Sequence, residues 1–145
     1  MSSIVGLFGR AEVDAGIALG LAVARVRRSK RDAIIPLFIV AAILIEAAVK
    51  VLVPEAPPPH ERARTVALLP LASTPFANAF PSGNVARFAF LLRIAHPIRT
   101  PVLIAGIVLM AATRIYLAEH WLFDTIGGAL LGLLVADVAR SLGRR

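Results

Sequence analysis

Lys50, the run Pro81-Ser82-Gly83-Asn84, Arg114, His120 and Asp124 are the residues of this chain whose types could do chemistry together. Two cations and a helix-starting Pro-Ser-Gly supply what an oxyanion needs, positive charge and backbone N–H groups. A histidine with a carboxylate four residues later supplies a nucleophile whose tautomer the carboxylate can fix. These are the requirements of phosphate chemistry. Singly, each residue has a plainer reading. Lys50 can snorkel from a helix end or pair with Glu46 four residues earlier. Ser82 can cap a helix, and Arg114 can anchor to lipid headgroups. His120 and Asp124 can form a local hydrogen bond or half a metal site. Ionisable residues in apolar segments lean functional, and the joint reading rests on whether the fold brings the three groups together.

The elements that must do so are set by composition. The chain has 145 residues, 58% of them hydrophobic and only 17% charged, against roughly 25% charged in ordinary soluble domains. Disorder is excluded, and a small single-core soluble globule could not hide so much apolar surface. With no cysteine there is no disulfide, thiolate metal site or cysteine nucleophile. The net charge of +7 would suggest nucleic acid in a soluble chain. Here the cations fall between apolar runs, which points to cytoplasmic loops of a membrane protein and to no nucleic-acid partner.

Runs at 33–53, 101–118 and 121–139 each approach the ~20 residues of a spanning helix. A weaker run covers 4–24, without the pattern of a removable signal peptide. Prolines crowd 54–59 and end the second helix; the loop continues to Phe80 as a candidate lid. The segment Asn84 to Ala95 is too short and charged to be assigned by hydropathy. It is assigned as spanning because only then do the three groups meet at one membrane face. Five helices are expected, roughly 4–24, 32–53, 82–97, 100–117 and 121–141. Ten cations then lie on one side: Arg25, Arg27, Arg28, Lys30 and Arg31, with Arg93, Arg99, Arg140, Arg144 and Arg145. Five lie on the other: Arg10, Lys50, Arg62, Arg64 and Arg114. The ten-cation side is expected to be cytoplasmic, and the candidate site extracytoplasmic.

The run Thr113-Arg114-(IYLAE)-His120-(WLF)-Asp124 resembles the third signature of the type 2 phosphatidic acid phosphatase (PAP2) family, SR-x5-H-x3-D. Pro81-Ser82-Gly83-Asn84 resembles the second, PSGH, and Lys50 the start of the first, K-x6-RP. The resemblance spans Lys50 to Asp124. It implies an all-α, polytopic transmembrane bundle of about five to six helices, a single domain over 1–145 with a PAP2/haloperoxidase-like catalytic core. It implies hydrolysis of a lipid phosphate without metal or other cofactor. By that resemblance His120 is the nucleophile that forms a phosphohistidine, and Asp124 orients it. Lys50, Arg114, Ser82 and the Gly83 amide hold the phosphate, and water cleaves the intermediate.

Three positions depart from the family pattern. Thr113 replaces serine and keeps a hydroxyl. The arginine expected after Lys50 falls on Pro57; Arg64, then Arg62, are the candidate substitutes in the PPPHERAR stretch, and both can equally be solvated loop charges. His60 reads as a solvated loop residue. Asn84 stands where the family places the histidine that protonates the leaving alkoxide. An amide donates a hydrogen bond but delivers no proton near neutral pH, and losing a positioned acid costs on the order of 10²–10⁴ in rate. Asn84 is either an introduced silencing change, a natural variant served by His60 or water, or the mark of a binder. One changed residue in an otherwise kept site favours the first.

The expected function is therefore a membrane lipid phosphatase. Its substrate would be phosphatidic acid, phosphatidylglycerol phosphate, or a polyprenyl phosphate or diphosphate, entering laterally from the lipid. The alternatives are a non-hydrolytic lipid-phosphate binder or transporter, and a metal-dependent hydrolase built on His120, Asp124 and Glu119. Arg87, one turn beyond Asn84, either extends the phosphate site or pairs with Glu46 or lipid, the pairing being favoured.

Overall fold

The computed structural model describes residues 35–59, 78–94 and 98–143. They form four helices: α1 (Ile35–Leu52), α2 (Gly83–Ile94), α3 (Thr100–Tyr116) and α4 (Leu122–Gly143). Among the described residues there is no strand. The four match the second to fifth expected helices to within three residues at each end. The expected helix over 4–24 and most of the loop 54–80 lie outside the described residues, so the count is four rather than five to six.

Local sequence explains the boundaries. α1 is an apolar run, broken by Glu46 and Lys50, that stops before Pro54 and the prolines after it. α3 carries Pro101 in its first turn, where a missing N–H costs nothing. It ends at Leu117, and Ala118 takes a left-handed conformation (φ 52°) that turns the chain into α4. α2 follows a cis peptide bond between Phe80 and Pro81.

α2 is the central element, packed against the other three and most extensively against α4. Val85, Ala86, Ala89 and Phe90 are wholly buried. Phe90, Leu91 and Ile94 meet Ile39 and Ala42 of α1 and Val135, Ala136 and Ala139 of α4 in one cluster. Two glycines four residues apart make the α2–α4 approach possible. A Cβ on Gly128 would collide with the Ser82 carbonyl, and one on Gly132 with the Ala86 carbonyl. Small residues at this spacing let helix backbones touch. The twelve residues of α2 rise about 18 Å, short of a ~30 Å hydrocarbon layer. The helix expected to span on its own is instead a short inner helix sheltered by its neighbours, which is why it can carry Arg87 and Asn84.

Polarity is inverted relative to a water-soluble globule. Leu37, Leu44, Val108, Leu109, Leu130 and Leu134 are all more than half exposed, while Glu46, Lys50, Arg87, Arg114 and Asp124 are buried. α4 (Leu122–Leu142) is long and apolar enough to cross a membrane, and α3 is a shorter apolar helix.

Candidate active site

Helix direction brings the site together. The end of α1, the start of α2, the end of α3 and the start of α4 share one end of the bundle. Lys50 lies in the last turn of α1. Its ammonium donates to the carbonyl oxygens of Asn78 and Ala79, the latter at 3.3 Å. The Asn78 side-chain amide returns a 2.6 Å bond to the Lys50 carbonyl. The lysine thus ties α1 to the segment that leads into Pro81-Ser82-Gly83. The Ser82 amide donates to the Asp124 carbonyl at 2.9 Å, joining the starts of α2 and α4.

His120 sits in the turn between α3 and α4, with its Nδ1 3.5 Å from Asp124 Oδ2. That is longer than a formed hydrogen bond, and Nδ1 has no hydrogen-bond partner among the described residues. Asp124 Oδ2 accepts the Trp121 amide at 2.7 Å, the backward arm of a capping box at the N-terminus of α4. The helix start therefore fixes the carboxylate facing the histidine. Burial pushes His120 down to about 4, with the nearby Lys50 cation acting in the same direction; Glu119 and the Ala79 backbone oppose it. At neutral pH the ring is uncharged and keeps a lone pair for attack.

Arg114 is fully buried and its Nη1 donates to Glu119 Oε2 at 2.9 Å. Glu119 is thus engaged by the arginine. Two buried oxygens have no hydrogen-bond partner among the described residues, Ser82 Oγ and Asp124 Oδ1. Ser82 does not use its hydroxyl as a helix cap and holds it buried. Glu55 also lies near Asp124. Glu55 is held there by its carbonyl, which accepts the Ala79 amide at 2.7 Å, and Trp121 Nε1 donates to the next carbonyl, Ala56, at 3.0 Å.

A second buried layer lies beneath. Arg87 Nη1 meets Glu46 Oε2 at 2.6 Å, and Arg87 Nη2 donates to Asn84 Oδ1 at 2.9 Å. Glu46 is also 4.0 Å from Lys50. Its carboxylate lies against the Cα of Gly83, where any side chain would collide with it. The expected pairing of Arg87 with Glu46 is therefore formed.

Of the residues singled out in the sequence, Lys50, Ser82, Gly83, Asn84, Arg114, His120 and Asp124 lie at this end of the bundle. His60, Arg62 and Arg64 lie outside the described residues. The sequence reading missed Glu55, Asn78 and the Arg114–Glu119 pair. A carboxylate inside the third signature is the one signal that could have suggested the last.

The sequence model of the PAP2 superfamily matches residues 32–144, most of the chain and all of this site. The chain belongs to the PAP2 superfamily, whose membership carries phosphatase-type hydrolase chemistry in general terms. Comparison with curated proteins and with solved structures returned no match.

Proposed function

We propose that this protein is an integral membrane lipid phosphatase that works through a phosphohistidine. The observation that carries this reading is the meeting, at one end of the bundle, of an uncharged His120, its Asp124 partner and the buried donors Lys50, Arg114 and Ser82. His120 attacks phosphorus through the ring nitrogen that faces away from Asp124. Asp124 takes up the Nδ1 hydrogen bond as positive charge grows on the ring. Lys50, Arg114, the Ser82 hydroxyl and the Gly83 amide hold the phosphoryl oxygens, with Arg64 or Arg62 as a further cation. Water then cleaves the phosphohistidine. The substrate is a lipid phosphate or diphosphate. The outward apolar faces suit a multi-pass cell-membrane protein, and the ten-to-five distribution of cations supports a site on the extracytoplasmic side.

The test is phosphate release in detergent micelles containing EDTA. Turnover that survives EDTA and disappears in His120→Ala supports the reading. A cysteine placed at residue 61 should label only from the extracytoplasmic side. Asn84 favours a second reading, a lipid-phosphate binder or transporter without turnover. That reading gains if the lipids bind and neither the chain nor Asn84→His releases phosphate.

A further inference from the structure

Asn84 is not an isolated gap in the site. Its Oδ1 accepts from Arg87, which fixes the amide orientation and leaves the Nδ2 hydrogens as donors. Arg87 is held by Glu46, and Glu46 fits only because residue 83 has no side chain. Glu46 and Arg87 are buried, and Asn84 is half-buried. A histidine at 84 would stand beside the Arg87 guanidinium, and a like charge disfavours the protonated form an acid must hold. The layer presents a fixed amide donor where the family pattern has a proton source.

Such a layer suits one kind of leaving group. An alkoxide is about as basic as hydroxide and must be protonated as it departs. A departing phosphate ester has a second pKa of about 6 and leaves as a stable anion. It needs hydrogen-bond donors, which the Asn84 amide held by Arg87 provides, beside the cations Lys50 and Arg114.

We infer that this site cleaves a phosphoanhydride, the diphosphate of a lipid, in preference to the phosphomonoester of an alcohol. The inference rests on the phosphohistidine reading and narrows its substrate. The lone pair of His120 forms an N–P bond to the terminal phosphorus. The bond from that phosphorus to the bridging oxygen breaks, and its electron pair stays on the oxygen. The lipid monophosphate departs with no proton added. Water then attacks phosphorus, the N–P electron pair returns to His120, and inorganic phosphate and a proton are released. The lipid monophosphate is a product that this site would process poorly.

Farnesyl diphosphate and farnesyl monophosphate, compared in the same micelles, test the inference. p-Nitrophenyl phosphate and phenyl phosphate, a good and a poor leaving group without a second phosphate, complete the set. The unmodified chain should release phosphate from the diphosphate on the order of 10² times faster or more than from the monophosphate. It should likewise prefer the nitrophenyl ester over the phenyl ester. Equal turnover of the two farnesyl substrates overturns the inference and leaves the phosphatase reading standing; the proton then comes from another acid. An inert chain that gains monophosphate turnover as Asn84→His also overturns it, and identifies a silenced monoesterase. No release from any substrate by either protein removes the phosphatase reading and this inference together.

Discussion

Burial and the Lys50 cation hold His120 uncharged across the neutral range, with its pKa near 4. The direction matters for a nucleophile. A histidine at its ordinary value of about 6.5 would lose its lone pair to a proton below that pH, whereas this one keeps it down to about pH 4. Titration of ¹⁵N-histidine-labelled protein in detergent should show one of the three histidines, His120, with a midpoint near 4. His120→Gln identifies the resonance by its loss, and a midpoint at 6 or above would contradict the burial described. At this scale the sequence was informative about types and spacing. The i, i+4 step from His120 to Asp124 was readable because both belong to one local turn. The Arg114–Glu119 pair and the approach of Glu55 to Asp124 were not, because they depend on a left-handed turn at Ala118 and on where the proline-rich segment lands.

Helices were legible where apolar runs met proline, and for this reason α1, α3 and α4 fall where expected. α2 was harder. Its length and charges made it ambiguous, and its place at the centre follows from contacts made by Gly128 and Gly132, forty-odd residues later in the chain. The close approach yields a directional prediction. Gly132→Ala drives a methyl into the Ala86 backbone carbonyl and should destabilise by about 1–3 kcal/mol. Gly106→Ala meets the flexible end of Leu92 instead. There the gain in helix propensity, up to about 1 kcal/mol, should balance or exceed the cost. Thermal unfolding in detergent should thus lower the midpoint for Gly132→Ala and leave Gly106→Ala at or above the parent. Similar midpoints for both would mean that α2 and α4 are farther apart than described.

At the scale of the whole molecule, the inverted polarity ties stability to surroundings. Charges inside are held by one another, and the outer leucines require an apolar medium or a partner. Composition made this inversion legible; which charges meet inside was not, since Glu46 and Arg87 lie on different helices. Leu134 points outward from the middle of α4. Leu134→Arg should cost about 2.5–3.5 kcal/mol in a lipid environment and almost nothing on a wet surface. Alkaline-carbonate extraction of membranes should release much more of the variant than of the parent, and equal retention would argue against lipid contact on this face. The Trp121 indole that donates to the Ala56 carbonyl is the chain's one tryptophan. All of the protein's indole emission therefore originates one residue from His120, at the contact that latches the proline-rich segment. An unlabelled sample in a fluorimeter carries its own optical probe of that latch, free of background from any other indole.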